Sequence, residues 1–131
     1  MDQPPTHGRP VRYLLVSKRD RLWDLYVTAA GRADEPPRTT YPRIIHPEPY
    51  CYDWERGRVM PDYAILYVTR GEGEFESETT GRRIVSAGSV VCLFPNVWHR
   101  YRPRGGTGWT KYSVAFGGGY PGRLVRRKFL S

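Results

Sequence analysis

Hydrophobic and polar positions are patterned most clearly in the middle of the chain. Residues 63–70 (YAILYVTR) are a near-continuous run of β-prone side chains, interrupted by Gly71, Glu72 and Gly73. Within residues 74–78, Phe75 and Ser77 fall on one face and Glu74, Glu76 and Glu78 on the other, the period of a strand with one wet face. The two glycines predict a tight hairpin with positive φ between these runs. Residues 79–81 predict a turn and 82–86 a strand; Ala87 and Gly88 predict another turn. A buried strand over 89–94 then ends at Pro95. A short extended segment (99–102), a turn (105–108) and a long last strand (109–116) complete the run.

The flanks are less regular. Residues 1–10 carry three prolines and a glycine among polar residues and predict a loose arm. Residues 11–16 and 22–28 predict short strands. Residues 31–40 (GRADEPPRTT) predict a loop, because Pro36 and Pro37 cannot join a central strand. Residues 41–54 mix aromatics with Pro42, Pro47 and Pro49 and predict extended chain at an edge or on the surface. After Gly117, Gly118 and Gly119 the period lengthens. Tyr120, Leu124, Val125 and Phe129 suit a short helix, with Pro121 near its start, where proline is tolerated. Roughly eight to ten short strands at this spacing predict an antiparallel sandwich, barrel or jelly roll.

Length and charge narrow the function. The chain has 131 residues, the size of one domain with its own core. Its longest apolar run, residues 90–94, is far short of the ~20 residues of a membrane helix. The N-terminus has no apolar signal segment, so the cytoplasm is the expected compartment. Cys51 and Cys92 match no zinc spacing and read as small buried apolar residues. The net charge is +8, but the 18 arginines and 3 lysines are scattered. The densest cluster, Arg123, Arg126, Arg127 and Lys128, has no nucleic-acid-binding motif beside it and reads as a solvated basic face.

No catalytic pattern emerges. A divalent metal needs about three protein ligands in one place, and the histidines are His7, His46 and His99, each in a different segment. His99 reads as a pocket or turn histidine hydrogen-bonded through its ring nitrogens. There is no nucleophile elbow and no phosphate-cradling glycine loop. Glu72, Glu74, Glu76 and Glu78 read as an exposed acidic face, Trp98 as a core plug and Arg100 as a solvent-facing side chain. Neither catalytic residue, metal nor cofactor is expected. The 18 aromatics, ten of them tyrosine, offer the flat apolar faces and hydroxyls that a sugar site uses, although each alone fits a core equally well.

Gly88, Pro95 and His99 resemble the second cupin motif in order and spacing. A longer ordered set resembles the N-terminal sensor domain of AraC-type transcription regulators over residues 20–131. It comprises WDLYVTAAG (23–31), YPRIIHPEPY (41–50), Gly57-Arg58-Val59, YVTRGEGEFES (67–77), Ala87-Gly88, FPNVWHRYRP (94–103), Gly108-Trp109 and Phe116-Gly117-Gly118. The resemblance implies a mainly β fold, a small antiparallel cupin-type barrel or jelly roll with a short C-terminal helix. It divides the chain into a flexible arm (1–20), an effector-binding barrel (21–118) and the start of a linker helix (119–131). It also implies a small-molecule effector, commonly a sugar, pairing into homodimers through the linker, and DNA contact only through a C-terminal domain with two helix-turn-helix units. The sequence stops at Ser131, where that linker and domain would follow, so the expectation is the sensor part of a longer regulator.

Alignment with the arabinose-responsive member of that family places Arg56 and Tyr101 on sugar-contacting positions. A contacting histidine and tryptophan become Lys111 and Ser113, which argues against arabinose and, through the added cation, toward a sugar acid. The resemblance turns Trp109, Lys111, Ser113 and Ala115 toward the pocket, the face that strand parity gives them together. With His99, the expected ligand-binding set is Arg56, His99, Tyr101, Trp109, Lys111 and Ser113. In the implied mechanism the effector orders the arm over itself. Two alternatives stay open: a small cupin isomerase or oxygenase, and a dimerisation module without a small ligand.

Overall fold

One strand of 15 residues, β3 (Tyr63–Ser77), organises the fold. The computed structural model describes residues 11–37 and 54–130. Before β3 come β1 (Val11–Tyr13), the short helix α1 (Lys18–Leu22) and β2 (Tyr26–Glu35). After it come β4 (Gly81–Ser86), β5 (Val90–Leu93), β6 (His99–Pro103), β7 (Trp109–Gly117) and α2 (Gly119–Arg126). All strand pairs are antiparallel. β1 pairs with β2, β2 with β7 and β7 with β3.

β3 contributes to two walls. Its first half, through Gly71, pairs with β7 on one side and β5 on the other. Its second half, from Glu72, pairs with β4 and β6. The expected hairpin at Gly71 and Gly73 is therefore corrected: the chain changes partners there without reversing. Gly71 has φ +78°, and a Cβ on it would collide with the Gly108 carbonyl. A Cβ on Gly73 would enter the Trp109 ring. Both glycines serve close approach between the walls.

The period-two pattern builds the interior. Ala64, Leu66 and Val68 of β3 point inward with Phe75, joined by Leu93, Tyr101, Trp109 and Ala115. The glutamates of β3 lie on the opposite face, where each meets an arginine. Glu76 pairs with Arg100 at 2.8 Å, Glu74 with Arg102 at 2.9 Å and Glu72 with Arg104 at 3.5 Å. Arg100 and Arg102 also cover the Trp54 ring, with Cζ atoms 4.2 and 3.9 Å from its centroid. Arg100 is thus engaged on a charged and aromatic surface, against the solvent-facing expectation. Trp98 is half-buried; its indole N–H donates to the Arg56 carbonyl at 2.8 Å.

Other boundaries differ for local reasons. The expected loop at 31–40 is strand through Glu35, and the prolines stand just beyond its end. Propensity missed this because the pairing partner, β7, lies about 80 residues away along the chain. Within the expected arm, residues 11–13 are β1 and residues 18–20 open α1. Ser17 caps α1 in a reciprocal box with Asp20, a signal visible in the sequence as Ser17-x-x-Asp20. The helix after the last strand is present, and Asp24 of the β2 approach holds its start. The Gly119 N–H donates to Asp24 Oδ1 at 2.8 Å, and Arg123 reaches Oδ2 at 2.9 Å. These contacts hold the Asp24 carboxyl below its usual range, the Gly119 N–H most of all. Phe129 lies past the helix and is exposed. The segment 41–52, Cys51, His7 and His46 lie outside the described residues. Cys92 is half-buried, and burial pushes its thiol pKa up.

Candidate functional site

Described residues line two cavities that lie between strands of the barrel. The smaller, about 50 Å³, lies where β1 crosses the barrel. Its floor is apolar: Met60, Ala64, Leu66, Leu93 and Ala115. Its rim is polar: Tyr13, Arg58, Tyr101, Lys111 and Ser113. Strand alternation explains the β7 side, because Lys111, Ser113 and Ala115 point inward together. The larger cavity, about 240 Å³, lies behind Leu93, between Phe75, Ser77, the turn at Thr79 and Thr80, β5 and His99.

A hydrogen-bonded chain joins the two. Arg58 Nε donates to His99 Nε2 at 3.0 Å, and Arg58 Nη2 donates to the Tyr101 hydroxyl at 2.8 Å. The guanidinium also lies 5.4 Å from the Tyr101 ring centroid. An acceptor role for Nε2 puts the imidazole proton on Nδ1, which faces the Val97 carbonyl at 3.4 Å. His99 is 1% exposed. Burial first, and then the Arg58 charge, lowers its pKa to about 4, so the ring is neutral near pH 7. Its ring lies parallel to Tyr101, with centroids 6.1 Å apart. Burial also pushes the Tyr13 phenol up to about 12, so Tyr13 stays a neutral hydroxyl at ordinary pH.

The six expected residues are distributed unevenly. Tyr101, Lys111 and Ser113 line the smaller cavity. His99 stands behind it, against Arg58, and lines the larger one. Trp109 is 1% exposed; it shares the inward face of β7 and donates its indole N–H to Glu35 Oε2 at 3.0 Å. Arg56 is exposed on the turn before Gly57 and lines neither of these cavities, whereas Arg58, two residues on, lines the smaller one. Gly57 has φ +64°, and Arg58 forms an isolated bridge with His99, which aims its side chain inward. Neither feature is readable from a segment without periodicity, although Gly57-Arg58-Val59 stood among the resemblance segments. Tyr13 was missed because β1 was assigned to the arm.

Among the described residues no three His, Cys, Asp or Glu side chains converge as a metal site would require. No helix among them is long and apolar enough to cross a membrane. What the smaller cavity offers is two cations, two phenols and a hydroxyl over an apolar floor. That set suits non-covalent recognition of a small polar molecule with an apolar side.

Comparison with known proteins agrees with this geometry. No curated protein matches the chain. Among solved structures, a cupin 2 conserved barrel domain protein from Salinispora arenicola is 16% identical over 97% of both chains, with a TM-score of 0.51. A predicted oxalate decarboxylase from Thermotoga maritima is 18% identical, over 82% of this chain and 78% of that one, with a TM-score of 0.49. The first of these likenesses shows the cupin fold. The model of the AraC-like ligand binding domain matches residues 47–130, a span from the segment before Arg58 to the end of α2 and beyond. With its cupin barrel and a polar-rimmed interior cavity, the chain belongs to the AraC-like ligand-binding domain family.

Proposed function

We propose that this domain senses a small molecule of the carbohydrate class inside the barrel and controls an attached helix-turn-helix domain in the cytoplasm, without catalysing a reaction. The observation that carries the reading is the smaller cavity. Tyr13, Tyr101 and Ser113 supply hydroxyl partners, and Ala64, Leu66 and Ala115 supply the apolar surface that the C–H face of a sugar ring needs.

The cavity holds only about 50 Å³ as it stands, room for on the order of three waters. A sugar ring requires it to widen. Val11 and Tyr13 of β1 form part of its wall, and β1 is tied to the sheet by three residue pairs with β2. Displacement and re-closure of β1 over the effector would couple occupancy to the N-terminal segment. An effector shifts that balance only by its different affinity for the two arrangements.

The test is thermal unfolding of this chain against monosaccharides, sugar acids and short oligosaccharides. A ligand at 100 times its Kd should add about 2.7 kcal/mol, a rise on the order of 10 °C. A selective shift that disappears in Tyr101→Ala supports the reading. A flat response across the panel removes it.

A further inference from the structure

The larger cavity, about 240 Å³, differs in chemistry from the smaller one. Among the described residues no Asp, Glu, Lys or Arg lines it. Phe75, Leu93 and His99 make a buried floor. His99 Nε2 accepts from Arg58 and Nδ1 faces the Val97 carbonyl, so the imidazole contributes ring surface there. The mouth is exposed, at Thr79, Thr80 and Val90. Between floor and mouth stand three hydroxyls whose protons can be traced. The Thr80 hydroxyl donates to the Gly81 carbonyl at 2.9 Å. Ser77 therefore donates to Thr80 Oγ1 across their 3.0 Å contact. Ser77 Oγ accepts in turn from the Thr80 N–H at 3.2 Å and from the Thr79 hydroxyl at 3.3 Å. A hydroxyl has one proton and two lone pairs. All three protons are thus committed within the turn, and Ser77 is saturated. What remains at the mouth is acceptor capacity, greatest on Thr79 Oγ1.

A molecule that matches this lining is uncharged, gives a hydrogen bond at one end and is apolar elsewhere. A carboxylate would meet neither a cation nor a spare hydroxyl proton, and would lose its water. An apolar cavity of ~150 Å³ is enough for benzene, so this one has room for a six-membered ring with a substituent. Phe75, Phe94 and His99 put aromatic rings in the lining, which favours an aromatic body. We propose that the larger cavity is a second ligand site, for a small phenol whose ring lies against Phe75 and Leu93 and whose hydroxyl donates to Thr79 Oγ1. The site does not depend on sugar sensing in the smaller cavity.

The experiment titrates the isotope-labelled chain with phenol, anisole and benzoate and follows the backbone amide resonances. Phenol should bind about fivefold tighter than anisole, which keeps the ring but has no proton to give, the scale of one neutral hydrogen bond. Benzoate should bind more weakly than either. The phenol shifts should gather at Ser77, Thr79, Val91 and Val97, away from Tyr13 and Ser113. Val91→Phe, at a half-buried position in the wall, should fill the cavity and abolish binding of phenol and anisole. If that variant loses its folded spectrum, the positions of the wild-type shifts decide. Thr79→Val, on an exposed turn, should weaken phenol to the level of anisole and leave anisole unchanged. No binding of phenol, or shifts gathered at Tyr13 and Ser113, overturns the site and leaves sugar sensing standing. Equal binding of phenol and anisole, or tighter binding of benzoate, overturns the phenol class. A preference for phenol that survives Thr79→Val overturns Thr79 as its partner.

Discussion

Arg58 holds His99 and Tyr101 together with two hydrogen bonds, so each of the three depends on the other two. Arg58→Met should leave the His99 Nε2 and the Tyr101 hydroxyl short of a partner, at about 1–3 kcal/mol, readable by urea unfolding. It should also raise the His99 pKa, because the guanidinium charge is one of the two forces lowering it. In the wild-type protein the sign of the pH dependence is fixed. The folded His99 pKa of about 4 lies below its ordinary value of 6.5, so the unfolded chain takes up the proton first. Stability is full above about pH 6.5 and falls as the pH drops toward 4, by about 3 kcal/mol in all. Unfolding free energies at pH 7.5 and pH 4.5 test this, and His99→Gln should flatten the profile. The inward face of β7 was legible beforehand because alternation places Lys111, Ser113 and Ala115 together whatever the rest of the fold does. Arg58 was not, because the turn at Gly57 that aims it is set by Trp98 and His99, about 40 residues away.

At the level of elements, β3 carries most of the cross-strand pairing, and its two glycines are where the walls meet. Gly73→Ala would drive a methyl into the Trp109 ring and toward the Arg102 carbonyl. We expect a loss of about 1–3 kcal/mol from overpacking. Gly81→Ala is the control: it also has positive φ, +69°, but open space around it, so the loss should stay near 1 kcal/mol. Denaturant midpoints of the two variants separate close approach from backbone conformation. The strands from β3 to β7 were legible from alternation and from the turns between them. The partner switch at Gly71 was not, since a glycine pair between β runs reads as a hairpin unless the facing Gly108 is known. The end of β2 was missed for a similar reason: its residues are poor β-formers held by β7.

For the whole molecule, family and fold were legible because the cupin elements are ordered along the chain, and their order survives where each short motif is weak. The state of the cavity was not legible, since it depends on how β1 settles over the opening. Truncation of the chain before Leu14 should widen the cavity and leave the barrel folded. Its far-ultraviolet circular dichroism should match the full chain, while its melting temperature falls by a few degrees, about 1 kcal/mol or less for an edge strand of this length.

The place of β3, shared between two walls and paired on both sides over residues 64–67 and 73–77, has a consequence for how amide protons exchange with solvent. Opening residues 64–67 or 73–77 of β3 breaks hydrogen bonds to two neighbours at once, so the amides there should exchange only through global unfolding. β1 has one neighbour and three paired residues, and should exchange through local opening many times faster. A bound effector should slow Val11, Arg12 and Tyr13 while β3 stays at its ceiling. The slowing would measure, in the time units of the exchange experiment, how much of the effector's binding energy goes into holding the edge strand β1 shut.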